Sequence, residues 1–293
     1  MSSKKIWLLV LAAFMALTAC SPNQQIQADD AGPLRADVSG NMQATLRVLY
    51  VEADGFAYRN SAGELTGVTV EIMQEFKQWF ERYHSVSLEL EFVEEANWSV
   101  FYRRIQHAHG GVFGLGNVTI TEARRDELQF SPPYMTNVAV LITPKNTPEL
   151  SNFSEFGTVF ADLQPMAFAG TLHETRITAL RDQYQPGRDI RPATSNPEII
   201  TAVAEGGYYS YIDAYNYWRA VAEGAAIRHH SVGDEVGETF GIIMPHSNDW
   251  APVLTAFFAA DGGFIYTERY REIMTEHLGE ALAQLLLEAA QSS

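Results

Sequence analysis

Apolar residues recur along the chain with two periods, and together these predict an α/β fold. Runs of about four to six apolar-rich residues are typical of buried strands, and they occur at 46–51, 88–93, 112–115, 138–142, 165–169, 208–212 and 240–244. Elsewhere apolar residues recur every three or four positions, as from Ile72 to Tyr83, which predicts an amphipathic helix. Strands alternating with helices favour the α/β class.

The N-terminus has the pattern of a targeting segment. Lys4 and Lys5 precede an apolar run over 6–17, which has the length of a signal-peptide core and is too short to span a membrane. The run ends in Leu-Thr-Ala-Cys at 17–20, which resembles the lipobox of bacterial lipoproteins. We therefore predict that 1–19 is a lipoprotein signal peptide and that Cys20 carries the lipid. Cys20 is the only cysteine, so an intramolecular disulfide is excluded.

Composition limits the remaining choices. Residues 20–44 are small and polar without periodicity, which predicts a flexible tether. The whole chain of 293 residues suits two lobes of ordinary size. Its net charge of −16 argues against nucleic-acid binding, because phosphates require a basic surface. We interpret the acidity as a contribution to solubility.

The segment 111–134 joins a buried strand to hydroxyl groups and an arginine. The apolar run 112–115 is followed by Thr119 and then Thr121, whose hydroxyl can cap a short helical turn. Arg124 lies three residues after that cap, so one turn brings its guanidinium to the same side. Hydroxyls, free amides and a guanidinium at the end of a strand can bind a carboxylate. A surface loop with a solvated arginine is the alternative.

The same segment resembles the signature of bacterial extracellular solute-binding proteins of family 3, the amino-acid receptors of ABC importers. Asn-Val-Thr-Ile-Thr-Glu-Ala-Arg and Phe-Ser-Pro-Pro-Tyr stand where the family has Gly-x-Thr/Ser-Ile-Thr-x-x-Arg and Phe-Ser-x-Pro-Tyr. The resemblance implies that Arg124 binds the ligand's α-carboxylate and that Thr119 adds a hydrogen bond. Asn117 stands where glycine or a small residue is usual, and we include it among the candidate contacts.

The resemblance covers about residues 45–280 and implies two aromatic contacts. Phe56 stands where the family keeps a ring that packs on the ligand, and a core position is the alternative. Trp98 opens a helix at a position that would form the opposite face of the ligand site. Gly55, before Phe56, departs from the proline that is common there.

Two further contacts are implied on the second lobe. Gly170-Thr171 follows a strand and resembles the family's Gly-Thr-Thr/Ser-x-Glu step, and this layout presents free amides to an anion. Asp213 ends the strand 208–212, and the carboxyl end of such a strand faces the cleft of an α/β lobe. The resemblance implies that Thr171 binds the carboxylate and Asp213 the ammonium. Helix capping is the alternative for Asp213 and is compatible with binding for Thr171.

The implied fold is the two-lobe periplasmic-binding-protein (Venus-flytrap) fold, with two crossover hinge strands and a cleft between the lobes. We expect lobe 1 to combine 45–136 with 242–293, which includes the C-terminal helices, and lobe 2 to comprise 137–241. Contacts from both lobes would be complete only in the closed form, so a ligand would shift the hinge equilibrium.

The function these features favour is capture of a small carboxylate-bearing ligand, most simply an amino acid, for an ABC permease. We expect a monomeric periplasmic lipoprotein that is anchored to a bacterial membrane through Cys20, with the outer membrane left open, and that has no cofactor. His107 and His109 lack the further ligands that a metal site needs, so we expect no metal.

Two other functions stay open. Cyclohexadienyl dehydratases share the implied fold, and His173 or Glu174 could then act as acid or base. A ligand sensor or accessory lipoprotein that serves no importer is the other alternative.

Overall fold

The computed structural model describes residues 30–39 and 43–291, with side chains described as far as residue 287. The predicted signal peptide, Cys20 and residues 20–29 of the predicted tether lie outside the described residues. Within the described part, no helix combines the length and apolar character needed to cross a membrane.

The first half of the chain builds lobe 1 around parallel strands. Its elements are β1 (Gln43–Tyr50), β2 (Tyr58–Arg59), β3 (Leu65–Thr66), α1 (Val68–His84), β4 (Ser87–Glu94), α2 (Trp98–His107), β5 (Val112–Thr119), α3 (Glu122–Arg125) and β6 (Gln129–Phe130). Strand β1 pairs in parallel with β4 on one side and β5 on the other. Because all three run the same way, their carboxyl ends meet at one edge of the sheet.

Helix α1 shows how the sequence pattern produces this lobe. Its residues Ile72, Met73, Phe76 and Phe80 recur at helical spacing and are fully buried against the sheet. The helix ends at Ser85, which adopts the left-handed conformation usual at helix C-termini.

Two long strands connect the lobes. Strands β7 (Met135–Pro144) and β11 (Ile227–Met244) run antiparallel to each other, and β11 also pairs with β5 of lobe 1. Strand β7 pairs with β10 of lobe 2 at its other end. Within the described residues nine strands therefore form one continuous sheet that passes from lobe to lobe through β11 and β7.

Lobe 2 is a second α/β layer. It contains α4 (Phe156–Val159), β8 (Gln164–Phe168), α5 (Leu172–Tyr184), β9 (Arg191–Ala193), α6 (Asn196–Glu205), β10 (Tyr208–Asp213) and α7 (Ala214–Ala222). Strand β8 lies parallel between β9 and β10, so these three carboxyl ends also share one edge. Helix α5 packs on one face of the sheet, and α6 and α7 pack on the other.

The C-terminal helices return to lobe 1. Helices α8 (Ala251–Ala259), α9 (Glu268–Leu278) and α10 (Glu280–Gln291) add to the same apolar core as α1. Short 3-10 turns lie at Arg35–Asp37, Phe153–Glu155, Ala260–Gly262 and Phe264–Tyr266.

Residues 30–39 correct the expectation of a flexible tether. Asp30 is buried and accepts hydrogen bonds from Arg104 Nε at 2.8 Å and Nη2 at 2.9 Å. The Pro33 carbonyl accepts from the Trp250 indole at 2.9 Å, and the amide of Arg35 donates to Asp249 at 2.6 Å. This stretch is therefore bound to lobe 1. Composition misled the prediction because the partners are far away in the sequence.

Candidate functional site

A large cavity lies where the carboxyl ends of the strands from both lobes meet. Its volume is about 980 Å³. Residues at or just after the carboxyl ends of β1, β4 and β5 line it from lobe 1, and residues at or just after those of β8, β9 and β10 line it from lobe 2: Val51, Glu52, Ala96, Asn117 and Thr119, then Thr171, Leu172, Thr194, Asn196 and Asp213. Strand direction alone therefore explains why distant segments share this site.

Arg124 contributes the positive charge of the lobe 1 wall. Thr121 accepts a hydrogen bond from the Arg124 amide at 3.2 Å, which is the predicted cap of α3. The Arg124 guanidinium donates to the Thr119 carbonyl at 3.1 Å and lines the cavity. Among the described residues, no carboxylate forms an ion pair with it. Burial lowers the pKa of Arg124, although a guanidinium stays protonated in proteins. This cation is therefore available to an anionic ligand.

Trp98 and Tyr102 hold that guanidinium in place. The two rings stack with centroids 5.3 Å apart, and the guanidinium carbon of Arg124 lies 5.5 Å from the Trp98 ring and 5.6 Å from the Tyr102 ring. Such cation–π contacts fix the position of the charge without neutralising it. Trp98 lines the cavity, and its ring also contacts this guanidinium.

Asp213 contributes the negative charge of the lobe 2 wall. Its side chain does not cap α7, so the capping alternative does not hold. Instead Oδ1 accepts from Asn137 Nδ2 at 2.6 Å and lies 3.3 Å from His173 Nε2. The carboxylate is 9% exposed and lines the cavity. Because Asn137 and His173 both contact Oδ1, the other carboxylate oxygen, Oδ2, can bind a ligand.

The contacts of His173 indicate which of its ring nitrogens donates. Its Nδ1 lies 3.1 Å from Arg176 Nη1, and a guanidinium can only donate, so Nδ1 must accept. The ring proton is therefore on Nε2 and points to Asp213. Both ring nitrogens are engaged, which leaves neither as a free acid or base.

A buried ion pair completes what we call the floor network: Asn137, His173, Arg176, Asp213 and Glu238. Arg176 pairs with Glu238, and Asn137 Nδ2 also donates to Glu238 at 3.0 Å. Asn137 lies on β7 and Glu238 on β11, so the network joins both crossover strands to the lobe 2 wall. Burial lowers the pKa of Arg176, while Glu235 and Asp213 act against that shift.

Gly170 and Thr171 only partly match their predicted roles. Thr171 lines the cavity, and its hydroxyl donates to the Phe168 carbonyl at 2.8 Å. Gly170 does not line the cavity, and its amide donates to Glu174 at 2.8 Å, so it is not free for an anion. The glycine is needed for a different reason. With φ of 79°, a Cβ there would lie 2.1 Å from the Ser99 hydroxyl of lobe 1.

Phe56 lies in the core, which corrects the prediction that its ring faces the ligand. It is 1% exposed and does not line the cavity. The Tyr215 ring, from α7 of lobe 2, covers it at a centroid distance of 4.6 Å. Tyr215 lines the cavity instead, and it is the aromatic residue that sequence analysis missed.

Asn117 connects the two lobes. Its Nδ2 donates to the Tyr215 hydroxyl at 3.0 Å, and its Oδ1 accepts from Tyr134 at 2.7 Å. Its φ of 50° is left-handed, a conformation that asparagine tolerates better than most residues. This explains how asparagine replaces the usual glycine. A second contact joins Arg219 of α7 to Asp54 of lobe 1 at 3.3 Å. We call these two pairs the mouth contacts.

The arrangement suits a zwitterion. A free guanidinium on one wall and a carboxylate oxygen on the other can bind opposite charges of one small molecule. Among the described residues no cluster of three or more metal-ligating side chains occurs. His107 Nδ1 instead lies 2.8 Å from the Arg103 carbonyl.

Two lobes joined by crossover strands, with a charged cavity between them, define a two-lobe periplasmic binding protein. The chain belongs to the bacterial extracellular solute-binding proteins of family 3, whose family model matches residues 46–285. Both the predicted family and the predicted fold class are thereby confirmed. A comparison with curated protein sequences gives no match.

Solved structures of this fold cover most of the chain. A mutant of ArgBP from T. maritima aligns with a TM-score of 0.64 and 15% identity, over 80% of this chain and 96% of that one. An arginine-, lysine-, histidine-binding protein, ArtJ from Geobacillus stearothermophilus, gives 0.63 and 16%, over 80% and 95%. An ancestral amino-acid-binding protein, a precursor of cyclohexadienyl dehydratase, gives 0.60 and 19%, over 80% and 95%. At these identities the similarity establishes the fold.

Proposed function

We propose that the protein binds a small ligand with an amino-acid head group between its lobes. Arg124 and Thr119 bind the carboxylate from lobe 1, Thr171 approaches it from lobe 2, and Asp213 Oδ2 binds the ammonium. The observation that carries this proposal is the shared cavity of Arg124 and Asp213, which come from opposite lobes. Solved structures of this fold support the ligand class, because they hold bound arginine, glutamine or histidine.

Closure follows from where these groups lie. Arg124 and Asp213 belong to different lobes, so one ligand contacts both only when the lobes are together. A ligand that binds the closed form more tightly shifts the population towards it. The mouth contacts act in the same direction, since they also join the lobes.

Calorimetry with a panel of L-amino acids tests this proposal. A thermal-shift screen first identifies binders, because a ligand of the folded state raises the melting temperature. Arg124→Met should then weaken the best binder by about 2 kcal/mol or more, roughly 30-fold, as expected when a buried charge pair loses one partner. Arg125→Met is the matched control, since Arg125 is a neighbouring exposed arginine. Equal affinities in both variants would rule out the assignment.

We also propose that the protein is a lipoprotein of the periplasm that delivers its ligand to an ABC permease. The charged start, the apolar run and the lipobox-like residues 17–20 support lipidation at Cys20. Labelled palmitate should enter the full chain and should be absent from Cys20→Ala. Deleting the protein should lower uptake of the ligand that calorimetry identifies. Unchanged uptake would instead favour a sensor or accessory role.

The dehydratase alternative has weaker support from the site. Both nitrogens of His173 are engaged, and Glu174 accepts the Gly170 amide. We therefore expect no conversion when the protein is incubated with prephenate or arogenate. Product formation that is lost in His173→Gln would favour the enzyme.

A further inference from the structure

We propose that the cleft has a second subsite, a groove between α6 and α7, which takes an extension of the ligand beyond its amino-acid head. The extension carries an uncharged amide near the head, an apolar stem and a positive end. This inference rests on the proposed function, because it assumes that Arg124 and Asp213 bind the head.

The groove is defined by two helix faces. The cavity-lining residues of α6 and α7 follow helical spacing: Pro197, Ile200, Thr201, Ala204 and Glu205, then Asn216, Arg219, Ala220 and Glu223. Both helices pack on the same face of the lobe 2 sheet. One face of each helix therefore lines the same cavity, and the groove between the two helices extends the cleft into lobe 2.

The groove is long relative to a free amino acid. The α6 wall from Asn196 to Glu205 spans roughly 13 Å at the helical rise of about 1.5 Å per residue. The cavity of about 980 Å³ lies at the upper end of the range for sites that enclose drug-sized ligands. An amino acid bound at Arg124 would leave the far end of this wall without contact.

The near end presents two amide side chains. Asn196 Oδ1 is buried and has no hydrogen-bond partner in the described part of the chain, whereas Asn216 interacts with Tyr215. Both residues line the cavity at the first turns of their helices, and Asn216 follows Asp213 by three positions. Burying a polar group without a partner is unfavourable. A ligand amide supplies the donor that Asn196 needs, and its oxygen can accept from Asn216.

The middle and far end differ in character. Ile200, Ala204 and Ala220 are apolar and suit a methylene stem. Glu205 and Glu223 are exposed acids at the far end, which favour a positive group. Arg219 is already paired with Asp54 and does not cancel them. Because exposed charges are screened, the stem should contribute more to affinity than the charge does.

A ladder of three ligands tests the groove by calorimetry: L-glutamine, N5-butyl-L-glutamine and N5-(4-aminobutyl)-L-glutamine. The butyl group should raise affinity at least about 10-fold, since each fully buried methylene is worth about 4-fold. The terminal ammonium should add about 2- to 5-fold and lose this gain at high salt. L-Methionine, which lacks the amide of L-glutamine, should bind at least about 100-fold more weakly than L-glutamine.

Variants separate the parts of the groove. Ala204→Phe fills the stem region, so the affinity ratio of butylglutamine to glutamine should fall towards one. The double variant Glu205→Gln with Glu223→Gln should remove only the increase in affinity that the ligand's terminal ammonium provides. It tests the far end of the groove even if Ala204→Phe fails to fold. Glu149→Gln with Glu155→Gln is the control, because it changes the net charge equally at exposed glutamates outside the cavity.

The results distinguish the two proposals. Equal affinities for all three glutamine ligands would overturn the groove while leaving the head-group site intact. Failure of every amino-acid ligand to bind would overturn the proposed function and the groove together.

Discussion

The floor network and the mouth contacts differ in what they connect and in permanence. Four of the five floor residues are buried and Arg176 is mostly buried, and two members, Asn137 and Glu238, lie on the strands that connect the lobes. Each mouth contact instead joins a residue of lobe 1 to α7 of lobe 2, and in the second of them Asp54 keeps 60% of its side chain exposed. We infer that the floor persists when the lobes open, whereas the mouth contacts exist only in the closed form. The mouth contacts therefore add to the closure that a ligand drives through Arg124 and Asp213.

Breaking the floor should have the largest effect. Arg176→Met leaves Glu238 buried without its cation, and losing one partner of a buried pair costs about 3–5 kcal/mol. We expect this decrease in the free energy of unfolding in urea. Arg181→Met, a substitution on the same helix of an arginine with a mostly exposed partner, should cost much less. If both variants lost the same free energy of unfolding, the pair of Arg176 and Glu238 would contribute no more to stability than the more exposed pair of Arg181.

Acid should destabilise lobe 2 through His230, which belongs neither to the floor network nor to the mouth contacts. Its Nδ1 accepts the Leu150 amide at 3.0 Å, and burial lowers its pKa from 6.5 to about 4. The unfolded chain therefore binds the proton first, so stability is complete above pH 6.5 and is lost as pH falls towards 4. The loss should reach about 3 kcal/mol.

Urea titrations between pH 7 and 4 measure this loss. The variant His230→Gln should flatten the profile, whereas His246→Gln, at an exposed position, should leave it unchanged. A wild-type profile that persists in His230→Gln would show that His230 does not cause the acid sensitivity.

Removing one hydroxyl should weaken the mouth without harming the fold. Tyr215→Phe keeps the ring on Phe56 but removes the acceptor of Asn117 Nδ2, worth about 0.5–1.5 kcal/mol. Fewer molecules should then be closed, and apparent affinity should fall about 2- to 10-fold. Calorimetry and small-angle scattering measure both quantities. Tyr217→Phe, on the same helix, is the control. An affinity unchanged in Tyr215→Phe would remove Tyr215 from the closure mechanism.

The exposed mouth pair should matter least. Asp54→Asn removes the partner of Arg219, and exposed ion pairs contribute about 0.2–1 kcal/mol. Ligand affinity should fall by less than about 5-fold, and the difference should vanish at high salt. A larger effect that resists salt would mean that this pair is desolvated on closure.

The predicted site residues that line the cavity share local signals. Arg124 follows its cap at fixed spacing, and Asp213 ends an apolar strand, so a short segment specified each position. The strand pattern likewise indicated the fold class. Such positions depend on neighbours within about one turn of the chain.

The residues that sequence analysis misplaced depend on distant partners. Phe56 lies in a loop, and only the three-dimensional structure shows that Tyr215 covers it. The floor network draws its members from β7, α5, β10 and β11, and no short pattern joins them. Asp30 looked like part of a tether because its partner Arg104 lies 74 residues away.

The most direct test of the central claim is a ligand–protein cycle at Arg124. Calorimetry would compare the best amino-acid ligand with its α-carboxamide, in the wild type and in Arg124→Met. If the guanidinium binds the carboxylate, the α-carboxamide should bind the wild type about 2 kcal/mol or more less tightly than the amino acid does. In Arg124→Met the difference between the two ligands should be far smaller. The same loss in both proteins would show that Arg124 does not bind the carboxylate, and the proposed mode of recognition would be wrong.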